Sequence, residues 1–237
     1  MKIVSAFLIL GLPLASWSSV PAAKNLNALE FLREAQVETI TNEQKENFKK
    51  YYGDYLKMAA SNQQGMKVRW KALILAAKLD PSGSVQDVAT FAKHEDWFMR
   101  NAALMALQET SPYEAQAVAK QLLKDKALVV RSAAVDVLTH STAKESRDIL
   151  WKELNQKYNF KGQQSLWIRP QIINHLVKSP RADELKYFSE ALFDKDQQVS
   201  RSAMTAMENL TRQNFGRSPA SLKTWQDYAQ QKGLVIQ

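Results

Sequence analysis

Residues 96–107 read DWFMRNAALMAL, and residues 125–138 read DKALVVRSAAVDVL. In each stretch an acidic residue opens a short turn and an apolar residue stands directly before Arg (Met99-Arg100, Val130-Arg131). Apolar residues then follow three, four and seven positions after that Arg. Together with the residue before it, these offsets mark one face of an α-helix. The same register recurs along the chain: Val68-Arg69, Met99-Arg100, Val130-Arg131, Ile168-Arg169 and Val199-Ser200 superimpose at spacings of 31, 31, 38 and 31 residues. Counted from the second residue of each pair, position +3 is Ala72, Ala103, Ala134, Ile172 and Ala203. Position +4 is Leu73, Leu104, Val135, Ile173 and Met204, and position +7 is Ala76, Leu107, Leu138, Leu176 and Met207. A small Ala at the same turn in four of the five copies lets a neighbouring helix approach closely, so the spacing predicts one helix used five times.

Between these helices lie partner segments with apolar stripes of their own, at about Glu43–Ala60, Val85–Lys93, Tyr113–Lys124, Ala143–Tyr158 and Ala182–Phe193. A helix pair returning every 30 to 40 residues is the pattern of an α-solenoid, in which no unit buries its apolar face alone and stacking makes the core continuous. The expected fold is therefore all-α, a solenoid of about five helix pairs with helical caps at both ends. The extra seven residues of the fourth unit fall in its longer first helix and in the loop from Phe160 to Gln164. Start signals agree: Ser111-Pro112-Tyr113-Glu114 offers a cap, Pro at the first helical position and Glu for a capping box. Thr142 with Glu145, and Ser218-Pro219, offer two more starts.

The acidic turn followed by apolar-Arg-x-x-Ala (Asp96…Met99-Arg100-Asn101-Ala102-Ala103 and Asp125…Val130-Arg131-Ser132-Ala133-Ala134) resembles the HEAT-repeat family, in particular the short bacterial repeats of the phycobilisome-lyase type. Asp194-Lys195-Asp196…Val199-Ser200-Arg201 keeps the turn but moves Arg one place along. The resemblance covers about residues 65–215. In the tail, Leu210-Thr211-Arg212-Gln213-Asn214-Phe215-Gly216 followed by Trp225-Gln226-Asp227-Tyr228 is similar to the closing segment of bacterial HEAT-like proteins, and as physics its aromatics would cover the exposed end of the last repeat. The resulting division is 1–22 signal peptide, 23–64 N-terminal cap and first helix of the first repeat, 65–215 repeats, and 216–237 C-terminal capping helix.

Composition narrows the function. The 237 residues are 45% apolar and 24% charged, with 7 Gly, 7 Pro and no Cys, which excludes a collagen-like chain, a disulfide-stapled miniprotein and a wholly disordered chain. Without Cys there is no Cys-ligated zinc, iron–sulfur cluster, thiol catalysis or disulfide. The formal charge of +8 is compatible with an anionic partner and with solubility alone. Residues 1–22, MKIVSAFLILGLPLASWSSVPA, carry one cation, Lys2, then an apolar run too short for a spanning helix, which needs about 20 apolar residues. This reads as a secretory signal peptide, cleaved after Ala22 or Ser18, with an uncleaved membrane anchor as the alternative. A periplasmic or extracellular protein is expected.

Chemistry-bearing residues are sparse. His94, His140 and His175 lie 46 and 35 residues apart, and neither His-Glu-x-x-His nor a nucleophile elbow occurs. No catalytic, cofactor or metal residue is expected, and the chain reads as a non-enzyme. The Arg column (Arg69, Arg100, Arg131, Arg169) could be an anion ladder, but an Arg beside a buried stripe and one turn from an acid reads better as inter-repeat glue. If the second helices line the concave surface, positions +1, +2 and +5 face a partner: Trp70 and Lys71, Asn101 and Met105, Asp136, Gln171 and Asn174, Arg201 and Thr205. That strip is mixed in charge, poor material for nucleic acid, and better suited to a protein or peptide. Two alternatives stand: a HEAT-like enzyme handling a bilin or nucleic acid, which the resemblance implies, and a polyanion or anionic-membrane binder. The second would use Lys45, Lys49, Lys50, Lys57, Lys67 and Lys71 interleaved with Phe48, Tyr51, Tyr52 and Tyr55, a stripe that equally suits a core.

Overall fold

The computed structural model describes residues 27–141 and 144–235, so the signal segment and the Thr142 cap lie outside the described residues. Five helix pairs follow one another: α3 (Tyr52–Ala60) with α4 (Met66–Leu79), α5 (Val85–Thr90) with α6 (Trp97–Thr110), α7 (Pro112–Leu122) with α8 (Leu128–Thr139), α9 (Lys144–Leu154) with α10 (Ile168–Leu176), and α11 (Leu185–Ala191) with α12 (Gln197–Thr211). Ahead of them stand α1 (Ala28–Glu34) and α2 (Asn42–Phe48), and behind them α13 (Ser221–Gln231). The architecture is an all-α solenoid.

The periodic apolar stripe is the core. Every residue at −1, +3, +4 and +7 of α4, α6, α8, α10 and α12 is fully buried except Val68, which is half-buried at the start of the array. Each second helix packs against the next, α4 on α6, α6 on α8, α8 on α10 and α10 on α12, whereas the first helices meet one another far more sparsely, α5 with α7 most. Ala72, Ala103, Ala134 and Ala203, all without exposed surface, permit that approach because a methyl group holds neighbouring helix axes close. The second helices therefore form the inner, concave layer and the first helices the outer layer.

Both ends are closed by aromatic residues. At the N-terminal end Phe31 of α1 stacks on Phe48 of α2 with ring centroids 3.7 Å apart, and the Tyr55 hydroxyl donates to the Ala28 carbonyl at 2.9 Å. The predicted helix Glu43–Ala60 is broken by a 3₁₀ turn, Lys49–Tyr51. The break turns Phe48 and Tyr55 inward together, and Gly53 just beyond weakens helix continuity there. At the C-terminal end Trp225 is buried, donates its indole N–H to the Gly216 carbonyl at 2.8 Å, and packs edge-on against Phe215 and Tyr228.

Four local expectations are corrected. Ser111 precedes Pro112 at the first position of α7, but its side chain makes no capping bond, because Ser111 also ends α6, with its N–H held by the Leu107 carbonyl at 2.7 Å. The helix expected to start at Ser218-Pro219 starts at Ser221, after a turn in which Ser218 Oγ accepts from the Ser221 N–H at 3.2 Å. The first helix of the fourth repeat ends at Leu154 rather than running to Tyr158. There the Asn159 amide donates to the Glu153 carbonyl and carboxylate, both at 2.9 Å, a side-chain competition that stops a helix. The segment read as a loop is a two-residue hairpin, β1 (Phe160–Lys161) paired with β2 (Gln164–Ser165). Gly162 at its first turn position has φ +62°, a conformation that costs Gly little.

Candidate functional site: the inner face and its turn edge

Each Arg of the column sits at the first turn of an inner helix and reaches into the following repeat. Arg69 donates to Asp96 at 2.8 Å and to the Ala59 carbonyl at 3.0 Å. Arg100 grips Asp125 with two bonds, 2.5 and 2.7 Å, and reaches the carbonyls of His94 and Glu95. Arg169 binds both oxygens of Asp194 and donates to Asn155 and Ser165. Arg131 breaks the pattern: the turn of the fourth repeat carries no equivalent acid, so its guanidinium takes the Asp125 and Tyr158 carbonyls at 2.7 and 3.1 Å, while its Nε finds no hydrogen-bond partner. All four Arg are buried. They are a structural ladder, each inner helix tied to the next turn, with their donors spent within the fold except for the buried Arg131 Nε. Ser200 stands in the fifth position, buried, and Arg201 beside it is exposed with one bond to Gln197 at 3.4 Å.

The ladder orders the charges it holds. Burial pushes the Asp125 carboxyl up, but the Arg100 bonds and the Ala127 N–H outweigh that and hold it below the ordinary carboxylate range. Glu184 behaves alike on the outer layer. Burial is overcome by Arg147 at 2.7 and 2.6 Å, the Trp151 indole at 3.0 Å and the Arg181 N–H at 3.0 Å. Glu153 goes the other way, because burial dominates over its bonds from Tyr158 and Asn159 and raises its pKa.

Of the nine strip residues, the structure brings together those on neighbouring inner helices. Gln171 of α10 accepts from the Ser132 hydroxyl at 2.9 Å and donates to Asp136 at 2.7 Å, both on α8. Asn174 accepts from Ser202 of α12 at 2.9 Å. Asp136, Gln171 and Asn174 thus lace three inner helices together. Lys71 donates to the Arg33 carbonyl at 3.0 Å, and burial, then the neighbouring Lys67, lowers its pKa. Trp70 is half-buried against the core, and Thr205 donates to the Arg201 carbonyl at 3.5 Å. Asn101 donates to the sulfur of Met105, which remains 41% exposed. Met105, Asp136 and Arg201 are the exposed strip residues, and of these Asp136 is engaged by Gln171, which leaves Met105 and Arg201 most open to a partner.

Offsets +1, +2 and +5 missed the first turn of the inner helices. Trp97, Val129 and Trp167 stand there, three or two places before the Arg of their repeats, and all three are exposed. Their residue types were visible in the sequence; their exposure depends on how little the turns from outer to inner helix cover. The expected N-terminal aromatic stripe is core: Phe48 and Tyr55 are buried, and Tyr51 and Tyr52 pack against the core. A cleft of about 490 Å³ lies between the outer helices α9 and α11, and an adjoining one of about 510 Å³ lies between the fourth-repeat hairpin and the Phe193–Asp196 turn; the two share Asn155 and Asp194. Their charges are largely satisfied within the fold, Lys144 by Asp148 and Arg169 by Asp194. Among the described residues no group of His, Asp and Glu is placed to hold a metal ion.

A family model described as HEAT repeats matches residues 56–139. The chain folds as a HEAT-like α-solenoid. The matched span runs from the outer helix of the first repeat to the end of α8, and α9–α12 continue the same packing. No curated protein matches the chain.

Proposed function

We propose that this solenoid is an exported, non-catalytic scaffold that binds a protein or peptide on its concave inner face. The observation that carries this reading is the inner strip itself. Its middle is rigidified by the Ser132–Gln171–Asp136 and Asn174–Ser202 bonds, while Met105 and Arg201 stay open on either side. A stiff surface that presents Met and Arg side chains suits protein recognition, because little entropy is lost on docking. HEAT repeats commonly serve as interaction scaffolds, which favours the same conclusion. The finer resemblance, to repeats of the bilin-lyase type, has no catalytic constellation to support it and stays secondary.

The test is affinity capture at high salt from an envelope extract, comparing the wild type with Met105→Glu plus Arg201→Glu. One protein retained by the wild type and lost by the double variant is expected. A catalytic activity abolished by a single point mutation, or capture indifferent to both substitutions, would overturn the reading. Export is tested by the N-terminus of the protein recovered from its producing cell: a start at Ala23 or Ser19 is expected, and a start at Met1 refutes cleavage.

A further inference from the structure

The A-to-B turns, which join each outer helix to its inner partner, lie side by side because the Arg ladder ties each inner helix to the turn of the next repeat. They form one continuous edge of the solenoid. The acids of these turns face inward: Asp96, Asp125 and Asp194 are held by Arg69, Arg100 and Arg169. The lysines of the same turns face outward. Lys93, Lys124 and Lys126, Lys157 and Lys161, and Lys195, with Lys67 in the first turn of α4, are all exposed, and none is salt-bridged. Only Glu95 and Asp196 offset them, and Asp196 is engaged in capping α12. On the opposite edge most cations are matched to acids, in Lys49–Asp80, Lys78–Glu109, Lys144–Asp183 and Arg217–Glu208, and the exposed Lys178 and Arg212 stand there without an aromatic neighbour among the exposed large hydrophobic residues.

Apolar side chains follow the same asymmetry. Of nine large hydrophobic residues left exposed among the described residues, five stand on the lysine edge: Met66, Trp97, Val129, Trp167 and Phe193. Trp167, at 57% exposure, is the most open tryptophan among them. Exposed Trp and Phe interleaved with unpaired Lys fit the interfacial zone of an anionic bilayer, where aromatic rings settle at headgroup depth and each Lys gains from the surface potential. A soluble polyanion would engage the lysines but give no reason for the apolar row. No helix among the described residues is long and apolar enough to cross a membrane, so contact at this edge would be peripheral.

We propose that the A-to-B turn edge docks on an anionic lipid surface, with Trp97, Trp167 and Phe193 entering the interface and the turn lysines contacting lipid phosphates. This leaves the inner strip free to hold a protein partner, and the two readings fail independently, since Met105 and Arg201 lie off the edge.

The experiment is co-sedimentation of the full chain with vesicles of phosphatidylcholine alone and of phosphatidylcholine with one third phosphatidylglycerol, at low and high salt. Binding is expected only with the anionic lipid and weakens with salt. Lys126→Gln plus Lys161→Gln should weaken it about 30-fold. Lys178→Gln plus Lys186→Gln removes as much charge from exposed positions away from the edge and should change it less than about twofold. Trp97→Ser plus Trp167→Ser should also weaken it, with the far-UV circular dichroism at the assay temperature unchanged because neither ring belongs to the buried core. Equal losses in the two lysine pairs would reduce the effect to net charge and overturn the proposal. So would binding to neutral vesicles that ignores the edge substitutions, which would place the contact elsewhere in the chain. Retention on immobilised heparin with no vesicle binding would overturn the lipid assignment.

Discussion

Asp125→Asn is the sharpest probe of what holds the repeats together. Asp125 and Arg100 are nearly inaccessible, with side chains 5% and 7% exposed, and meet through two bonds of 2.5 and 2.7 Å, while Asp125 also accepts from the Ala127 N–H at 2.8 Å. Asn keeps the shape and one acceptor but removes the charge and turns an N–H₂ toward a guanidinium that only donates. The Arg100 cation is then left buried with the His94 and Glu95 carbonyls for company. Breaking one partner of a buried pair costs roughly 3–5 kcal/mol, which for a chain of this size is a fall of about 6–20 °C in melting temperature. Because a solenoid is stabilised by nearest-neighbour interfaces, the loss should appear first as faster amide exchange in α6 and α8, with α12 and α13 little changed. The pH dependence has a definite sign. Asp125 has a depressed native pKa, so its contribution is full above the unfolded carboxylate value of about 3.9 and is lost as pH falls through the native value. The gap between wild type and variant should therefore be widest near neutrality and narrow as the pH falls below the unfolded carboxylate value. Thermal unfolding by circular dichroism with hydrogen exchange reads both, and a fall of less than about 2 °C at pH 7 would refute the ladder as inter-repeat glue.

Trp225→Ala should cost about 3–5 kcal/mol and expose the linker after Arg217 to protease, since the Phe215–Trp225–Tyr228 cluster is what seats α13 on α12; an unchanged digestion pattern would contradict the capping role. In the hairpin of the fourth repeat, Gly162 has open space around a hypothetical Cβ, so Gly162→Ala should lose only the backbone penalty of about 1–2 kcal/mol and Gly162→Asn less, an ordering checked by urea unfolding. Glu153 has a raised native pKa through burial, so the wild type should lose stability as pH rises from about 4.3 through that higher value. Glu153→Gln should flatten this slope, because the Tyr158 hydroxyl can turn to accept from the new amide; melting curves from pH 4 to 8 that stay parallel would show the carboxylate is not costly.

The solenoid was legible from one column of residues. Apolar positions at −1, +3, +4 and +7, repeated with a small Ala at +3, leave a helix no way to bury its stripe except against copies of itself, so the inner layer and its core followed from periodicity. The Arg column was legible as glue for the same reason: a guanidinium beside a buried stripe must be paired, and Asp96, Asp125 and Asp194 recur at the right turns. Where each partner lay was not, because Arg69 and Asp96 are 27 residues apart and meet only once two repeats have stacked. The candidate contact residues were the least legible part. Gln171 and Asp136 look alike in sequence to residues that bind a partner, and only helix packing engaged them with each other. Trp97 and Trp167 look alike to core tryptophans, and only the shortness of the turns left them in water.

Sequence alone thus determined the repeat, the handover from one helix pair to the next, and the class of fold, because each depends on local spacing and on which side chains shun water. The tertiary structure decided which polar groups remain free. A buried cation must find an acid wherever stacking provides one, so the ladder drew the turn carboxylates inward and left the turn lysines, with their neighbouring aromatics, facing out along one edge.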